Sequence, residues 1–401
     1  MTRVHSIRQA VIASAKRTPV GAFQGTLSSI PTVRLGATAI EATIRAAGLE
    51  KNDINEVIMG NVITGGEGQA PARQAALYAG LPEGTECMTI NKVCGSGLKA
   101  VMLASQAVQT GDANIVVAGG MESMSNVPYY LFKARDGYRL GHGELTDGVL
   151  RDGLVNVYDG THMGQAGELC AREFNYTREA QDAFAKESYQ RAIKAQETGA
   201  FANEIVPVEV PQRRGDPLVI SEDEEPKRAN FEKMSKLRPA FDKEGTITAA
   251  NASKINDGAA ALVVMRAGVA ERREIKPMAR IVAQASAAQA PEWFTTSPIL
   301  AIQKVLDRSF LSIEDIDLFE INEAFSVVTM VAMDQLKIPH DKVNINGGAV
   351  SLGHPIGCSG ARVLTTLLHA MEARDARYGL AALCIGGGEA SAMVVERMLE
   401  D

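Results

Sequence analysis

The 401-residue sequence has little of what marks several large classes of protein. Its five cysteines are odd in number and lack disulfide-like spacing, which favours a reducing compartment over a disulfide-stabilised secreted fold. Lys and Arg total 41 against 48 Asp and Glu, for a formal net charge of -7. Because no Lys/Arg cluster stands out, we expect no nucleic-acid partner. No apolar run approaches the length of a membrane span, so we expect no membrane partner either.

The signals for common cofactors and for a leader segment are also missing. Neither Gly-x-Gly-x-x-Gly nor Gly-x-x-x-x-Gly-Lys-Ser/Thr occurs, so no dinucleotide-binding or NTP-binding loop is indicated. His354 and Cys358 are four residues apart, but no second pair of ligands with metal spacing accompanies them, which argues against zinc. Residues 1–16 have no long apolar core and no cleavage site. We therefore expect a cytoplasmic protein.

The most informative residue present is Cys94, which lies where a strand-like apolar run meets a helical pattern over residues 98–109. Gly95 and Gly97 allow the backbone to turn sharply after it. The free N–H groups at a helix N-terminus favour thiolate, so we expect a lowered pKa and a reactive sulfur. The pattern is the thiol counterpart of a nucleophile elbow. A small buried cysteine under a turn is the ordinary alternative.

Two segments near the other end of the chain favour the catalytic reading. His354 precedes a glycine-rich turn that opens a helix, and Cys384 lies in a buried strand-like run that ends in three glycines from Gly386. Acyl transfer needs a nucleophile, a base and an oxyanion hole. Cys94, His354 and the backbone N–H groups of Cys94 and Gly386 could supply them. Taken alone, His354 would be interpreted as a loop or core histidine, and Cys384 as a residue that packs within a strand. Cys94, His354, Cys384 and Asn322 together form a pattern that is specific for a catalytic site.

The chain also contains an internal duplication. Cys94 and Cys358 each lie at a glycine-rich turn that is followed by a helix and an apolar strand, so we predict parallel pairing in an α/β fold. Two such units related by a pseudo-twofold axis would bring both turns to one surface. Residues 125–254 differ, since they are charged and turn-rich and include an amphipathic helix at 178–196.

With these residues in view, the sequence resembles the thiolases, and most closely their short-chain branch. The likeness extends over practically the whole chain, in segments 17–19, 71–74, 94–97, 118–125, 162–164, 251–260, 322–325, 353–362 and 384–393. It implies the thiolase fold, with two duplicated core domains stacked as α-β-α-β-α layers and an inserted loop domain. The implied domains are residues 1–124 with 255–277, the insertion 125–254, and residues 278–401.

The resemblance assigns roles to the catalytic residues. Cys94 carries the acyl group, His354 takes its proton, and Cys384 removes a proton from C2 of acetyl-CoA. A water held by Asn322 joins His354 at the enolate oxygen, and the amides of Cys94 and Gly386 stabilise the tetrahedral intermediate. Glu389 departs from the family pattern, and it would raise the pKa of Cys384 if it pointed inward.

The resemblance also implies contacts with the substrates, which are coenzyme A (CoA) esters; no cofactor is implied. The CoA-binding positions are Ser253, Ala249, Phe241, His162, Leu154 and one of Lys227 and Arg228. Met163 and Phe294 would close the acyl pocket. The matching positions for a potassium ion, which would order the CoA-binding loop, are Tyr189 and Val350.

The activity implied is acetyl-CoA C-acetyltransferase, which interconverts two acetyl-CoA with acetoacetyl-CoA and CoA. A degradative 3-ketoacyl-CoA thiolase of broader chain length is the alternative within the family. A non-catalytic acyl-CoA or lipid-binding protein on this fold would be expected to lose Cys94, His354 or Cys384, and none is lost. A homotetramer is implied, with dimer strand material around Val93 and residues 114–118 and a tetramerising segment at 129–147.

Overall fold

The computed structural model describes residues 8–398. The outermost residues of the predicted domains, and residues 1–7 of the segment considered as a leader, lie outside this range. The strands are β1 (Ala10–Arg17), β2 (Gly21–Ala22), β3 (Glu56–Gly60), β4 (Glu86–Ile90), β5 (Ile115–Ser123), β6 (Tyr129–Tyr130), β7 (Thr146–Asp147), β8 (Val208–Val210), β9 (Leu218–Ile220), β10 (Asn256–Arg266), β11 (Ala279–Ala288), β12 (Leu318–Ile321), β13 (Tyr378–Ile385) and β14 (Glu389–Arg397).

The α-helices are α1 (Thr32–Ala46), α2 (Pro71–Tyr78), α3 (Ser96–Thr110), α4 (Met163–Glu173), α5 (Arg178–Glu197), α6 (Phe231–Met234), α7 (Ala267–Arg272), α8 (Ser297–Ser309), α9 (Ser326–Leu336), α10 (Ala349–Leu352) and α11 (Ile356–Ala373). The helix predicted at 98–109 is α3 and that predicted at 178–196 is α5, each longer by one to three residues. Within residues 8–398, no helix combines the length and the apolar character that a membrane span requires.

The main sheet has two halves. Its order is β12-β13-β14-β11-β1-β10-β5-β3-β4, with β2 paired to β10. β3 pairs in parallel with β4 and β5, and β12 pairs in parallel with β13, as the duplication predicts. The halves join through two residue pairs between β1 and β11. The carboxyl ends of the parallel strands in each half are the natural position for a site.

Helices cover and separate the two halves. Helices α3 and α11 lie between them, where Leu98 and Leu364 pack in one buried cluster with residues of both halves, such as Val116 and Met393. α1 and α2 cover the outer face of the N-terminal half, and α8 and α9 cover that of the C-terminal half. These five layers confirm the predicted fold class. The domain boundaries stay a prediction.

The material predicted to support a dimer falls on two different strands: Val93 closely follows the edge strand β4, whereas residues 114–118 lead into an inner strand. Residues 114–118 include the start of β5, and β5 is hydrogen-bonded to β10 on one side and to β3 on the other. A strand with two neighbours has no free N–H or C=O row to offer a second subunit. The edge of this half among the described residues is β4, where Met88 is exposed.

Candidate active site

The turn that carries Cys94 is held in an unusual conformation. Val93, which precedes it, has φ of 46°, a value that is unfavourable for a β-branched residue. The N–H of Val93 donates to Asn91 Oδ1 (2.9 Å) and the N–H of Lys92 donates to Ser96 Oγ (2.8 Å). The Ser96 hydroxyl donates to the C=O of Val93 (2.7 Å). These bonds fix the backbone that presents the sulfur between β4 and α3.

Two glycines allow the two predicted catalytic turns to meet. A Cβ atom at Gly97 would lie 2.6 Å from the backbone N of Ala361, and one at Gly360 would collide with the backbone of Leu98. The first turns of α3 and α11 therefore touch through their backbones. This close approach brings Cys94 to the segment of His354, despite the separation in sequence.

The hydrogen bonds of His354 specify its tautomer. The Ser359 hydroxyl donates to the C=O of Pro355 (2.8 Å), and the same oxygen lies 2.6 Å from His354 Nδ1. Since the hydroxyl proton is already used, Nδ1 must donate, and Nε2 carries the free lone pair. Burial, with a smaller effect of the Arg362 charge, lowers the pKa of His354 to about 3. The ring is therefore a neutral base that points Nε2 toward Asn322 Nδ2, at 3.5 Å.

The expectation of a lowered pKa at Cys94 is wrong. Burial raises the pKa of this thiol to about 11, and the Glu122 charge adds to the rise. The backbone N–H groups of Gly386 and of Cys94 itself bond to the sulfur and offset only part of this effect. Cys94 is therefore a thiol at rest and needs a base to attack. The same two amides are those predicted to form an oxyanion hole.

Cys384 and Asn322 come from adjacent strands. Cys384 lies near the carboxyl end of β13, and Asn322 directly follows β12, with its N–H donating to the C=O of Ala382 (3.0 Å). Cys384 is fully buried, and burial together with the nearby Cys94 raises its pKa well above the ordinary thiol value. Asn322 Oδ1 is buried without a hydrogen-bond partner. It is an acceptor of the kind that the predicted water would satisfy.

Glu389 does not point at Cys384. Its carboxylate pairs with the ammonium of Lys92, and both side chains are partly exposed. The pair links the loop that precedes Cys94 to the strand that follows Gly386. The groups that raise the pKa of Cys384, apart from burial, are Cys94 and Cys170 rather than Glu389.

An inner cavity of about 230 Å³ receives most of the predicted site residues. Those that line it are Cys94, His354, Gly386, His162, Leu154, Met163, Phe294, Phe241 and Ser253. The His162 ring stacks on Phe241 with centroids 4.6 Å apart. Cys384 and Asn322 are not among the lining residues, but both contact or lie next to residues that are.

An outer cavity of about 590 Å³ adjoins the inner one, because residues 252–255 and Phe241 line both. Ala249, Ser253 and Arg228 line it, which places most predicted CoA-binding positions along one path from surface to sulfur. Both basic side chains have an acidic partner, Glu222 for Lys227 and Glu224 for Arg228, but only Arg228 lines the cavity. Of the two alternatives for a basic contact, the structure favours Arg228.

Tyr189 and Val350 lie together in one buried cluster. The carbonyl oxygen of Val350, however, already accepts a hydrogen bond from Lys254 Nζ at 3.1 Å. A potassium ion would need the oxygen that this ammonium uses, so the residues present do not fit the predicted ion.

Two residues that hold the site were not predicted from the sequence. Ser359 orients His354. In the sequence, this role was indicated only by a hydroxyl residue five positions after a candidate base. Glu122 is fully buried and accepts from the N–H groups of Val62, Ile63 and Gly357 (2.9–3.2 Å). It thus ties the first turn of α11 to the end of β5.

We predict that Ser359→Ala lowers the rate of Cys94 acylation by about 10–100-fold, the cost of one lost buried hydrogen bond of 1–3 kcal/mol. KM should change little, because Ser359 does not line either cavity. Stopped-flow acylation measures the rate, and ¹⁵N NMR of the ring reports the tautomer. Ser359→Thr keeps the hydroxyl and should retain the signal at protonated Nδ1. A wild-type rate and tautomer in Ser359→Ala would contradict the role.

Comparisons with known proteins identify the family of the chain. The family models for the thiolase N-terminal and C-terminal domains match residues 10–268 and 275–397. An acetyl-CoA acetyltransferase of Schizosaccharomyces pombe is 52% identical, over 96% of this chain and 98% of its own length. A mitochondrial acetyl-CoA acetyltransferase of Homo sapiens is 51% identical, over 98% of this chain and 91% of its own.

A solved structure adds the fold. The crystal structure of Acat5 thiolase from Ascaris suum in complex with coenzyme A has a TM-score of 0.93 and 44% identity, over 97% of this chain and 100% of that one. The sequence matches and the shared fold each cover nearly the whole chain. The chain belongs to the thiolase family.

Proposed function

We propose that this chain is an acetyl-CoA C-acetyltransferase, which condenses two acetyl-CoA to acetoacetyl-CoA and CoA and runs the reverse thiolysis. The observation that carries the proposal is the neutral His354, with its free Nε2 directed into the site, in one cavity with Cys94 and Gly386. Relatives named acetyl-CoA acetyltransferase at 51–52% identity support it. So does the CoA-bound thiolase structure.

The first half-reaction is transfer of the acetyl group to Cys94. His354 Nε2 accepts the thiol proton as the sulfur attacks the thioester carbonyl, and the proton then leaves with the CoA sulfur. Because the pKa of Cys94 is about 11 and that of His354 about 3, a free thiolate–imidazolium pair is disfavoured. Proton transfer therefore accompanies attack. The N–H groups of Cys94 and Gly386 stabilise the oxyanion.

The second half-reaction joins two carbon atoms. A second acetyl-CoA loses a proton from C2, and we assign Cys384, the buried thiol next to Cys94, as the base. Because a thiol cannot accept a proton, its own proton passes to the free Nε2 of His354, and the thiolate that remains takes the proton from C2. The protonated Nε2 of His354 and a water on Asn322, whose buried Oδ1 has an unused acceptor site, donate hydrogen bonds to the enolate oxygen. The C2 carbanion then attacks the acetyl group on Cys94 and releases acetoacetyl-CoA, and the Cys94 sulfur takes the proton from His354.

Met163 and Phe294 favour short acyl chains. Both line the inner cavity; Phe294 is buried, and the Met163 sulfur would lie 3.5 Å from a Cβ at Gly386. Each extra methylene that cannot be accommodated costs about 1–3 kcal/mol. We therefore propose a preference for C4 substrates.

Chain length tests the proposal against the degradative alternative. Thiolysis of acetoacetyl-CoA, 2-methylacetoacetyl-CoA and a C10 3-ketoacyl-CoA should show kcat/KM at least about 10-fold higher for C4 than for C10, which corresponds to only 1.4 kcal/mol. Condensation of acetyl-CoA should also occur. Equal efficiency on C4 and C10 would move the enzyme to the degradative class. Absence of both reactions, with CoA esters still bound, would indicate the non-catalytic class.

We propose further that the enzyme needs no cofactor, is cytoplasmic and is a homotetramer built as a dimer of dimers. The exposed edge strand β4 supports pairing of core sheets in the dimer. The exposed apolar side chains of Tyr129, Phe132, Leu140 and Leu145 support a further interface at the predicted tetramerising segment. A monomer by light scattering would contradict the assembly.

A further inference from the structure

Lys254 makes contacts that an inorganic cation would otherwise make. Its Nζ donates to the C=O of Ala252 at 2.9 Å and to the C=O of Val350 at 3.1 Å. It also lies 5.3 Å from the centroid of the Tyr189 ring, within the range of a cation–π contact. Two carbonyl oxygens and an aromatic face form a cage for one positive charge.

The surroundings balance that charge. The carboxylates of Glu225 and Glu323 both act to raise the pKa of Lys254, while burial lowers it to about 8. At neutral pH the side chain is thus mostly an ammonium. Glu323 is buried and is itself held by Ser188, Asn344 and the N–H of Val350.

The cage joins the segments that build the active site. Ala252 and Lys254 belong to the loop that lines both cavities. Val350 lies in α10, which ends two residues before His354, and Glu323 follows Asn322. One ammonium therefore connects the substrate loop to the segments of the base and of Asn322.

We propose that Lys254 is a built-in cation, a positioning residue that holds the substrate loop against α10 and makes the enzyme independent of potassium. The proposal rests on the proposed function only in taking CoA esters as the ligands of the loop. An ion cannot add to the cage while the ammonium occupies it, because both need the oxygen of Val350. The disagreement between these residues and the predicted ion is thus itself informative.

Two substitutions at Lys254 separate charge from space. Lys254→Ala removes the ammonium and opens its volume, so potassium can reach the two carbonyls; Lys254→Met removes the charge but fills the volume. Lys186→Ala is the matched control, since the Lys186 ammonium lies near the same cluster, 6.0 Å from the Phe231 ring centroid, while the hydrogen bonds to the two carbonyls come from Lys254. The measurements are the KM for acetoacetyl-CoA, kcat and Tm, each in KCl and in NaCl.

Wild type and Lys186→Ala should give equal KM and Tm in the two salts. Lys254→Ala should have a KM raised about 10-fold in NaCl, as expected for losing charge-assisted hydrogen bonds that order the loop, with KM and Tm recovering in KCl but kcat changing less. Lys254→Met should show the rise in both salts. A crystal of Lys254→Ala soaked in thallium should show an anomalous peak between the two carbonyls that wild type lacks.

A lower KM or a higher Tm of the wild type in KCl than in NaCl would overturn the proposal. So would wild-type KM and Tm for both Lys254 variants in NaCl. If wild type has no thiolase activity, the proposed function fails, but the Tm comparison and the thallium peak still decide the role of Lys254. If Lys254→Ala fails to fold, the KM and Tm of Lys254→Met test the role of Lys254. Recovery of either value in KCl but not in NaCl would contradict the proposal, because the methionine side chain fills the space that an ion would need.

Discussion

Cys94→Ala is expected to abolish turnover in both directions, with a loss of at least about 10⁴-fold, as for removal of other covalent nucleophiles. The variant should also take up no acetyl group from acetyl-CoA. Peptide mass mapping of wild type should place a single acetyl group on Cys94. The fold should persist, because Cys94 is partly exposed in a turn that is fixed by the bonds of its neighbours.

Cys358→Ala is the matched control for this experiment. Cys358 is a buried cysteine in the first turn of α11, with a pKa raised by burial to about 12, and it does not line the inner cavity. The Cys358→Ala variant should become acetylated at Cys94 as the wild type does. An acetyl group on Cys358 or Cys384, or activity in Cys94→Ala near that of wild type, would contradict the assignment.

The pH dependence of acetylation follows from the neutral resting forms of His354 and Cys94. The pKa of His354 lies near 3 and that of Cys94 near 11. Between these values Nε2 keeps its lone pair and Cys94 keeps its proton, so the reactive form does not change. The acetylation rate should therefore be flat across neutral pH. It should fall on acidification only as Nε2 becomes protonated.

Much of the fold was open to prediction because repetition and periodicity are local properties. The glycine-rich turns at Cys94 and Cys358 each predicted a strand-turn-helix unit. The presence of two such units predicted the pseudo-twofold axis. What could not be read locally was the strand order. β5 looked suitable for an interface, but the return of β10 between β1 and β5 buries it in the sheet.

The site shows the same division. Cys94, His354 and Cys384 were identifiable from their turns, whereas the pKa of Cys94 was predicted with the wrong sign. The helix N-terminus was visible in the sequence, but the loss of water around the sulfur depends on segments hundreds of residues away. Ser359 was visible only as a residue type, since its role depends on where its single proton goes.

Charged partners were the least predictable part. Lys92 and Glu389 are separated by almost 300 residues, and Lys254 reaches a carbonyl 96 residues away. Pattern and spacing carry no information on such pairs. Resemblance to relatives even pointed to an inorganic ion where this chain has an ammonium.

Cys384→Ala is expected to separate the two half-reactions. Cys94 should still become acetylated, because its base is His354 and its oxyanion donors are backbone amides. Exchange of the methyl protons of acetyl-CoA with deuterated solvent should fall by about 10²–10⁴-fold, the usual contribution of a positioned general base. Condensation should fall in parallel. Mass spectrometry of the protein and ¹H NMR of the substrate measure the two steps.

Cys170→Ala makes the same atomic change at a neighbouring position and is the control. Cys170 is fully buried in the same apolar cluster as Cys384 and close enough to act on its pKa. Its own thiol lies against the Thr295 side chain, whereas the neighbour that acts most on the pKa of Cys384 is Cys94. A packing effect alone would slow both variants in both steps, whereas a base at Cys384 predicts loss of exchange in one variant only. Normal exchange in Cys384→Ala would show that another group removes the proton from C2.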